Sequence, residues 1–278
     1  MRKEDFTFVI ATFKSENIIF ECLNNIPTES KKIIIENSGN YELKSNLENK
    51  YTNLECLVMK SNLGFGKANN IGIKRCLTKY IFILNPDVIM TNEKFNEILK
   101  KLKNEKFSVA APIDRSNKTN FAGKDFLEVN EVRGFAMILD LKIAKKTLFD
   151  ENIFLYLEEI DLCKRIRSKN GRILIVNTEV QHMGGASHDN KYNFEMEKSR
   201  NWHWMWSKFY FHKKHNSYLY GIIYTFPNLI SSILKFYIYK ITKRNEKKII
   251  YKMRILGLLN SYKLKKSYYR PFTEKKLR

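Results

Sequence analysis

The stretch Tyr-Ile-Phe-Ile-Leu-Asn-Pro-Asp-Val-Ile, residues 80–89, decides how the chain is read. A run with the composition of a buried strand passes directly into Asn85-Pro86-Asp87. Proline and its polar neighbours are turn formers, so a turn is the plain expectation there. A turn alone does not explain why a buried strand should deliver a carboxylate. The same pattern occurs upstream. "FTFVIATF" (6–13) and "KKIIIENSG" (31–39) read as strands that end in polar turns, and "LECLVMKSN" (54–62) reads as a third. "SENIIFECLNNI" (15–26) reads as a helix opened by a Ser15 cap and closed before Pro27, and "GFGKANNIGIKRC" (64–76) begins on glycines and turns helical. Hydrophobic runs alternating with helices predict a mostly parallel sheet covered on both faces. Such a sheet binds ligands beyond the carboxyl ends of its strands, where Thr12, Glu36, Asn37 and Asp87 would share one rim.

Further along, a lysine-rich surface helix is expected over 92–104, a strand over 107–113 and another over 132–140. Ile160, Cys163 and Ile166 have helical spacing ahead of Gly171, a natural stop. "RILIVNTEVQHMGG" then gives a strand and a glycine-rich loop. After Gly185 the character changes. Residues 201–215 are aromatic and basic, and residues 216–234 carry no charge but contain Gly221 and Pro227. A boundary near 195 divides a domain over 1–195 from a helical, basic and aromatic region over 196–278.

Lys and Arg number 50 against 29 Asp and Glu, a net charge of +21, which points to nucleic acid, anionic lipid or a phosphate-bearing substrate. Cys22, Cys56, Cys76 and Cys163 are scattered, with no CxxC pair, so neither a zinc knuckle nor a disulfide scaffold is expected and a reducing cytosolic setting is the plain reading. The opening "MRKEDFTFVIATF" enters a strand almost at once and does not read as a signal peptide. "GFGKANN" lacks the GKS or GKT ending of a P-loop and the GxGxxG of a dinucleotide site. No RRM, KH, zinc-finger or helix-turn-helix pattern is present, so no nucleic-acid partner is expected.

Four ordered segments resemble the inverting nucleotide-sugar glycosyltransferases of family 2, in particular the rhamnosyltransferase-like branch of bacterial surface polysaccharide synthesis. They are "VIATFKSENIIFECLNNI", "IIIENSGN", "NLGFGKANNIGIK" followed by "FILNPDV", and "DENIFLYLEEIDLCKRIRSKNGRILIVNTEVQHMGG", together covering roughly 6–190. The resemblance implies an α/β GT-A fold, a Rossmann-like mixed, mostly parallel sheet with helices on both faces. It also implies Mn²⁺ or Mg²⁺ held by Asp87, with His182 either completing the metal site or contacting the donor diphosphate and His188 a lesser substitute. Hard divalent cations need only one or two protein ligands when phosphates and water complete the shell.

Inversion requires a base for the acceptor hydroxyl. The resemblance places it at Glu159, where the family has Asp, with Glu158 and Asp161 as supporting or alternative acids. A helix N-terminus decorated for its dipole would explain the charge of those acids, but not the apolar Phe-Leu-Tyr-Leu run that delivers them. For the nucleotide, the resemblance implies Thr12, Phe13 and Glu36 near the base or ribose, a loop of Asn62, Gly64 and Asn69 over the donor, and Asn85 beside Asp87. Arg133, with Gly134, falls where the family shapes the sugar and acceptor region; it either contacts phosphate or pairs with Glu131 or Asp140. The implied reaction is transfer of a sugar, with dTDP-rhamnose as first choice of donor, to a glycan or polyprenyl-diphosphate-linked acceptor in polysaccharide, O-antigen or lipopolysaccharide synthesis. A UDP-hexose, UDP-hexosamine or UDP-galactofuranose transferase and an inactive scaffold relative are the alternatives. The basic, aromatic C-terminal region is expected at an anionic membrane surface or at the acceptor, with a helical lid on the catalytic domain and a membrane span over 216–234 as alternatives; the surface reading would put the protein in the cytoplasm, peripherally attached to the inner face of the membrane.

Overall fold

A computed structural model describes residues 1–184 and 187–272; Gly185 of the glycine-rich loop and the last six residues of the C-terminal region lie outside the described residues. The chain divides into two compact units, Met1–Asp150 with Glu159–Asn190, and Glu151–Glu158 with Lys191–Arg278. Segment 151–158 therefore groups with the C-terminal helices, although a reading by composition leaves it with the sheet.

The first unit is built on an eight-stranded sheet in the order β3-β2-β1-β4-β8-β6-β9-β7. Its strands are β1 (Phe6–Thr12), β2 (Lys31–Glu36), β3 (Leu54–Val58), β4 (Tyr80–Leu84), β6 (Val109–Ile113), β7 (Phe126–Glu128), β8 (Ala136–Asp140) and β9 (Ile173–Glu179). β3, β2, β1 and β4 run parallel; β8 lies antiparallel between β4 and β6, and β7 is antiparallel to β9. A short ribbon pairs β5 (Val88–Ile89) with β10 (Gln181–His182).

Residue alternation explains the two faces. Phe6, Phe8 and Ile10 of β1 and Phe82 of β4 point into one core, closed by α1 (Ile19–Asn24), α2 (Tyr41–Lys50) and α4 (Asn92–Leu102). Val9, Ile81 and Ile83 point into the other, closed by α3 (Phe65–Arg75), α5 (Leu141–Lys146) and α6 (Glu158–Arg167). The expected α/β sheet with helices on both faces is what the chain forms.

Local boundaries differ where side chains found other partners. The first helix begins at Ile19, because the Ser15 hydroxyl donates to Ser187 O at 2.6 Å instead of capping. The strand expected from 132 starts only at Ala136, which leaves Arg133 and Gly134 in the loop before it. All four cysteines are buried, free thiols.

The second unit consists of α7 (Asn193–His215), α8 (Tyr218–Ile241) and α9 (Asn245–Tyr262) with segment 151–158 and the chain after α9. Trp202, Trp206, Met253 and Tyr269 form one of its cores, and Met205, Phe209, Leu229 and Leu258 another. His203 is buried and held neutral, pushed down to about 3 by burial and by the nearby Arg270. Neutral, it donates from Nε2 to Tyr269 O and accepts from the Ser267 hydroxyl at Nδ1, both at 3.0 Å. Among the described residues no helix is long and apolar enough to cross a membrane.

Gly257 sets how closely α7 and α9 approach, since a Cβ there would lie 2.2 Å from the Trp202 carbonyl oxygen. Gly257→Ala is therefore expected to destabilise the chain by about 1–3 kcal/mol, seen as a lower midpoint in thermal or denaturant unfolding.

Candidate active site

Asn85-Pro86-Asp87 is indeed a turn, with Val88 N donating to Asn85 O at 3.2 Å. It is also more than a turn, because Asp87 is buried, only 1% exposed. The antiparallel pairing of His182 with Val88 carries an imidazole across to it, and His182 Nε2 lies 3.7 Å from Asp87 Oδ2. Phe135 stacks on the imidazole, with ring centroids 4.5 Å apart.

The second ring nitrogen has its own partner. Asp114, directly after β6, faces His182 Nδ1 at 3.3 Å. Burial favours the neutral acid there, but hydrogen bonds from Ser116 and His182 and the charge of Arg133 outweigh it and hold Asp114 below the usual carboxylate range. Arg133 reaches both Asp114 oxygens, at 3.1 and 3.2 Å, and the Ser116 hydroxyl at 2.6 Å. The alternative pairing of Arg133 with Glu131 or Asp140 is thus corrected. Asp140 sits at the far end of β8, where it caps α5 through Lys142 N and Ile143 N.

Glu159 opens the part of α6 that belongs to the first unit. It packs on Gly134, where a Cβ would come 3.4 Å from the Glu159 Cβ, an ordinary van der Waals distance. Burial and the neighbouring Glu131 carboxylate push Glu159 up to about 7. The helix is entered through Tyr156 and Leu157, non-glycine residues held at φ 70° and 69°. Left-handed backbone of this kind costs on the order of 1–3 kcal/mol per residue and concentrates at functional sites. Glu158 is buried, and Asp161 is fully buried with Arg165 Nε donating to it at 2.7 Å.

The remaining predicted residues divide into two groups. Thr12 is buried, its hydroxyl toward Ile35 O at 3.5 Å, and Phe13 follows it half-buried. Glu36 is fully buried and tied to its own turn: Oε1 accepts from Ser38 N at 2.9 Å and from the Ser38 hydroxyl, and Oε2 from Asn40 N at 2.7 Å. It orders the loop after β2. Asn62 Oδ1 accepts from Gly64 N at 2.9 Å, and Gly64, at φ 81° as the residue before α3, adopts backbone that favours glycine. Asn69 is buried inside α3, donating to Phe65 O at 3.0 Å, while its Oδ1 has no hydrogen-bond partner among the described residues. His188 is buried.

One continuous set of contacts therefore runs from Glu159 through Gly134 and Arg133 to Asp114, His182 and Asp87. Asp114 is the residue that sequence reasoning misses, although it follows a strand just as Asp87 does, and the same rim rule points to it. Among the described residues no group of three or more His, Cys, Asp or Glu side chains is arranged to hold a metal ion. The carboxylate and imidazole of Asp87 and His182 nonetheless fit a divalent cation that takes its other oxygens from phosphate and water.

A family model described as "Glycosyl transferase family 2" matches residues 7–159, more than half of the chain. The chain is 22% identical over 195 residues to the low-salt glycan biosynthesis hexosyltransferase Agl10 of Haloferax volcanii, covering 60% of this chain and 63% of that protein. It is 22% identical over 236 residues to the rhamnosyltransferase WbbL of Escherichia coli, covering 70% and 88%. Among solved structures, the mannosyltransferase PcManGT from Pyrobaculum calidifontis in complex with GDP-Man and Mn²⁺ aligns at a TM-score of 0.57 with 9% identity over 94% of this chain and 88% of that one. TarS 1–349 of S. aureus in complex with UDP-GlcNAc aligns at 0.53 with 13% identity over 95% and 93%. These structures share the fold.

Proposed function

The chain belongs to glycosyl transferase family 2, and from that premise we propose that it moves a sugar from a nucleoside-diphosphate sugar to a glycan or polyprenyl-diphosphate-linked acceptor, with inversion, in surface polysaccharide, O-antigen or lipopolysaccharide synthesis. The carrying observation is the contact chain that links Glu159 to the Asp87–His182 pair within one unit. Rhamnose from dTDP-rhamnose is the first choice of donor, supported by the likeness to a rhamnosyltransferase along 88% of that protein's length. UDP- and GDP-linked hexoses are the next to test, since solved neighbours carry UDP-GlcNAc and GDP-Man. The proposal includes a cytoplasmic setting with peripheral attachment to the inner face of the membrane, a reading supported by the excess of Lys and Arg over Asp and Glu.

Asp87 and His182 would hold Mn²⁺ or Mg²⁺, which when bound offsets the negative charge that grows on the departing diphosphate. Glu159 takes the proton of the acceptor hydroxyl as the oxygen attacks, and a value near 7 suits a base working at neutral pH. Asp114 fixes the ring orientation of His182 through Nδ1, and Arg133 and Ser116 fix Asp114. Asp114→Asn is accordingly expected to weaken Mn²⁺ binding by roughly 10–100-fold with the fold retained, checked by titration of the free-Mn²⁺ electron paramagnetic resonance signal.

The reaction is tested by incubating the full chain with Mn²⁺, a lipid-linked oligosaccharide acceptor and, in turn, dTDP-rhamnose, UDP-GlcNAc, a UDP-hexose, UDP-galactofuranose and GDP-mannose. Consumption of one donor, with a product of opposite anomeric configuration by NMR, supports the reading. A product that retains the configuration contradicts it, as does the absence of turnover with every donor.

A further inference from the structure

Helix α8 is amphipathic in the reverse sense. Gly221, Thr225, Leu229 and Ser232, mostly small or polar, are its buried residues. On the opposite side Leu219, Ile223, Phe226, Ile230, Leu234 and Tyr237 follow one another at steps of four, three, four, four and three, with exposures from 43% at Ile230 to 65% at Leu219. At helical geometry these six fall within an arc of roughly 80° and form a strip about 27 Å long. Single exposed apolar residues need no explanation, but a continuous strip marks a surface that something covers. A helix serving only the interior would turn this stripe inward.

Charge selects the occupant. Residues 191–278 hold 21 Lys and Arg against 4 Asp and Glu, so this region carries 17 of the 21 net positive charges of the chain. A second copy docked on α8 would bring two such regions together against their repulsion, whereas an anionic lipid surface neutralises them. The helix does not meet the requirements for crossing a bilayer. An in-plane helix satisfies both observations, with the stripe at the acyl boundary and lysine stems reaching back to the head groups.

We propose that α8 is a membrane-surface helix that seats the Leu219–Tyr237 stripe in an anionic bilayer. The inference rests on the proposed work at a membrane and assigns the attachment to one face of one helix; it is independent of donor and metal.

The test is co-sedimentation of the full chain, without nucleotide or Mn²⁺, with phosphatidylcholine vesicles and with vesicles of phosphatidylcholine and phosphatidylglycerol. We expect binding to the anionic vesicles, weakened at least about tenfold in Ile223→Glu/Phe226→Glu/Ile230→Glu, a variant whose thermal unfolding should match the native chain because these side chains face outward. In a Phe226→Trp variant the fluorescence of the introduced indole should shift to the blue on anionic vesicles and be quenched by brominated acyl chains. If the triple variant binds as tightly as the native chain, or the indole is not quenched, the assignment to α8 is overturned and membrane attachment stands. If the native chain binds neither vesicle, both fail. A native dimer in sedimentation velocity that the triple variant converts to monomer would overturn the proposal in favour of a second copy. Nucleotide calorimetry without vesicles reads the donor site separately.

Discussion

Glu159→Gln is expected to lower kcat by roughly 10²–10⁴-fold while leaving nucleotide affinity within a factor of about two. The substitution keeps the shape of the side chain against Gly134 and removes only its capacity to accept a proton. Burial and the Glu131 carboxylate both disfavour the charged form, which is why Glu159 is raised to about 7 rather than near the ordinary 4.5. A base must be deprotonated to act, so kcat/KM should rise tenfold per pH unit below about 7 and level off above it. Removing the repulsion in Glu131→Gln should move that inflection to lower pH, whereas loss of a merely structural glutamate would leave the profile unchanged. Steady-state kinetics from about pH 5.5 to 8.5 on the native chain and both variants check all three expectations.

The second large effect concerns Asp87. Asp87→Asn is expected to reduce turnover on the order of 10²–10³-fold and to remove its dependence on Mn²⁺. Asparagine fits the space and keeps the Asn85–Val88 turn, so the expected loss comes from charge and ligand strength. Because Asp87 is 1% exposed, a side effect on folding is checked separately by the unfolding midpoint. An Asp87→Asn protein that turns over with native rate and native metal dependence would remove Asp87 from the mechanism.

The sheet was legible from sequence because its strands are long apolar runs buried on both faces, from Phe6 to Thr12 and from Tyr80 to Leu84. The position of Asp87 followed from the rule that strands of such a sheet deliver their polar residues to one rim. Other features depended on partners distant in sequence. Arg133 is engaged by Asp114 across 19 residues, and His182 faces Asp87 only because β10 pairs with β5, a two-residue ribbon too short to leave a periodic signal. Ser15 reads as a helix cap until residue 187 supplies its carbonyl. Glu36 illustrates the opposite limit: its type and place suggest a ligand contact, while its oxygens are engaged by the turn from Ser38 to Asn40. The stripe on α8 was present in the sequence as a charge-free stretch, but its direction could not be read until the partners of Gly221, Thr225 and Ser232 showed which side is buried.

Calorimetric titration of UDP, dTDP, GDP and CDP into the native chain, each with and without Mn²⁺, beside Asp87→Ala, reads the donor site and its metal together. One nucleotide is expected to bind with micromolar affinity only when Mn²⁺ is present, and the variant is expected to lose this binding. The absence of binding by all four nucleotides under both conditions, or metal-independent binding that survives in Asp87→Ala, would rule out a metal-assisted nucleotide site at Asp87.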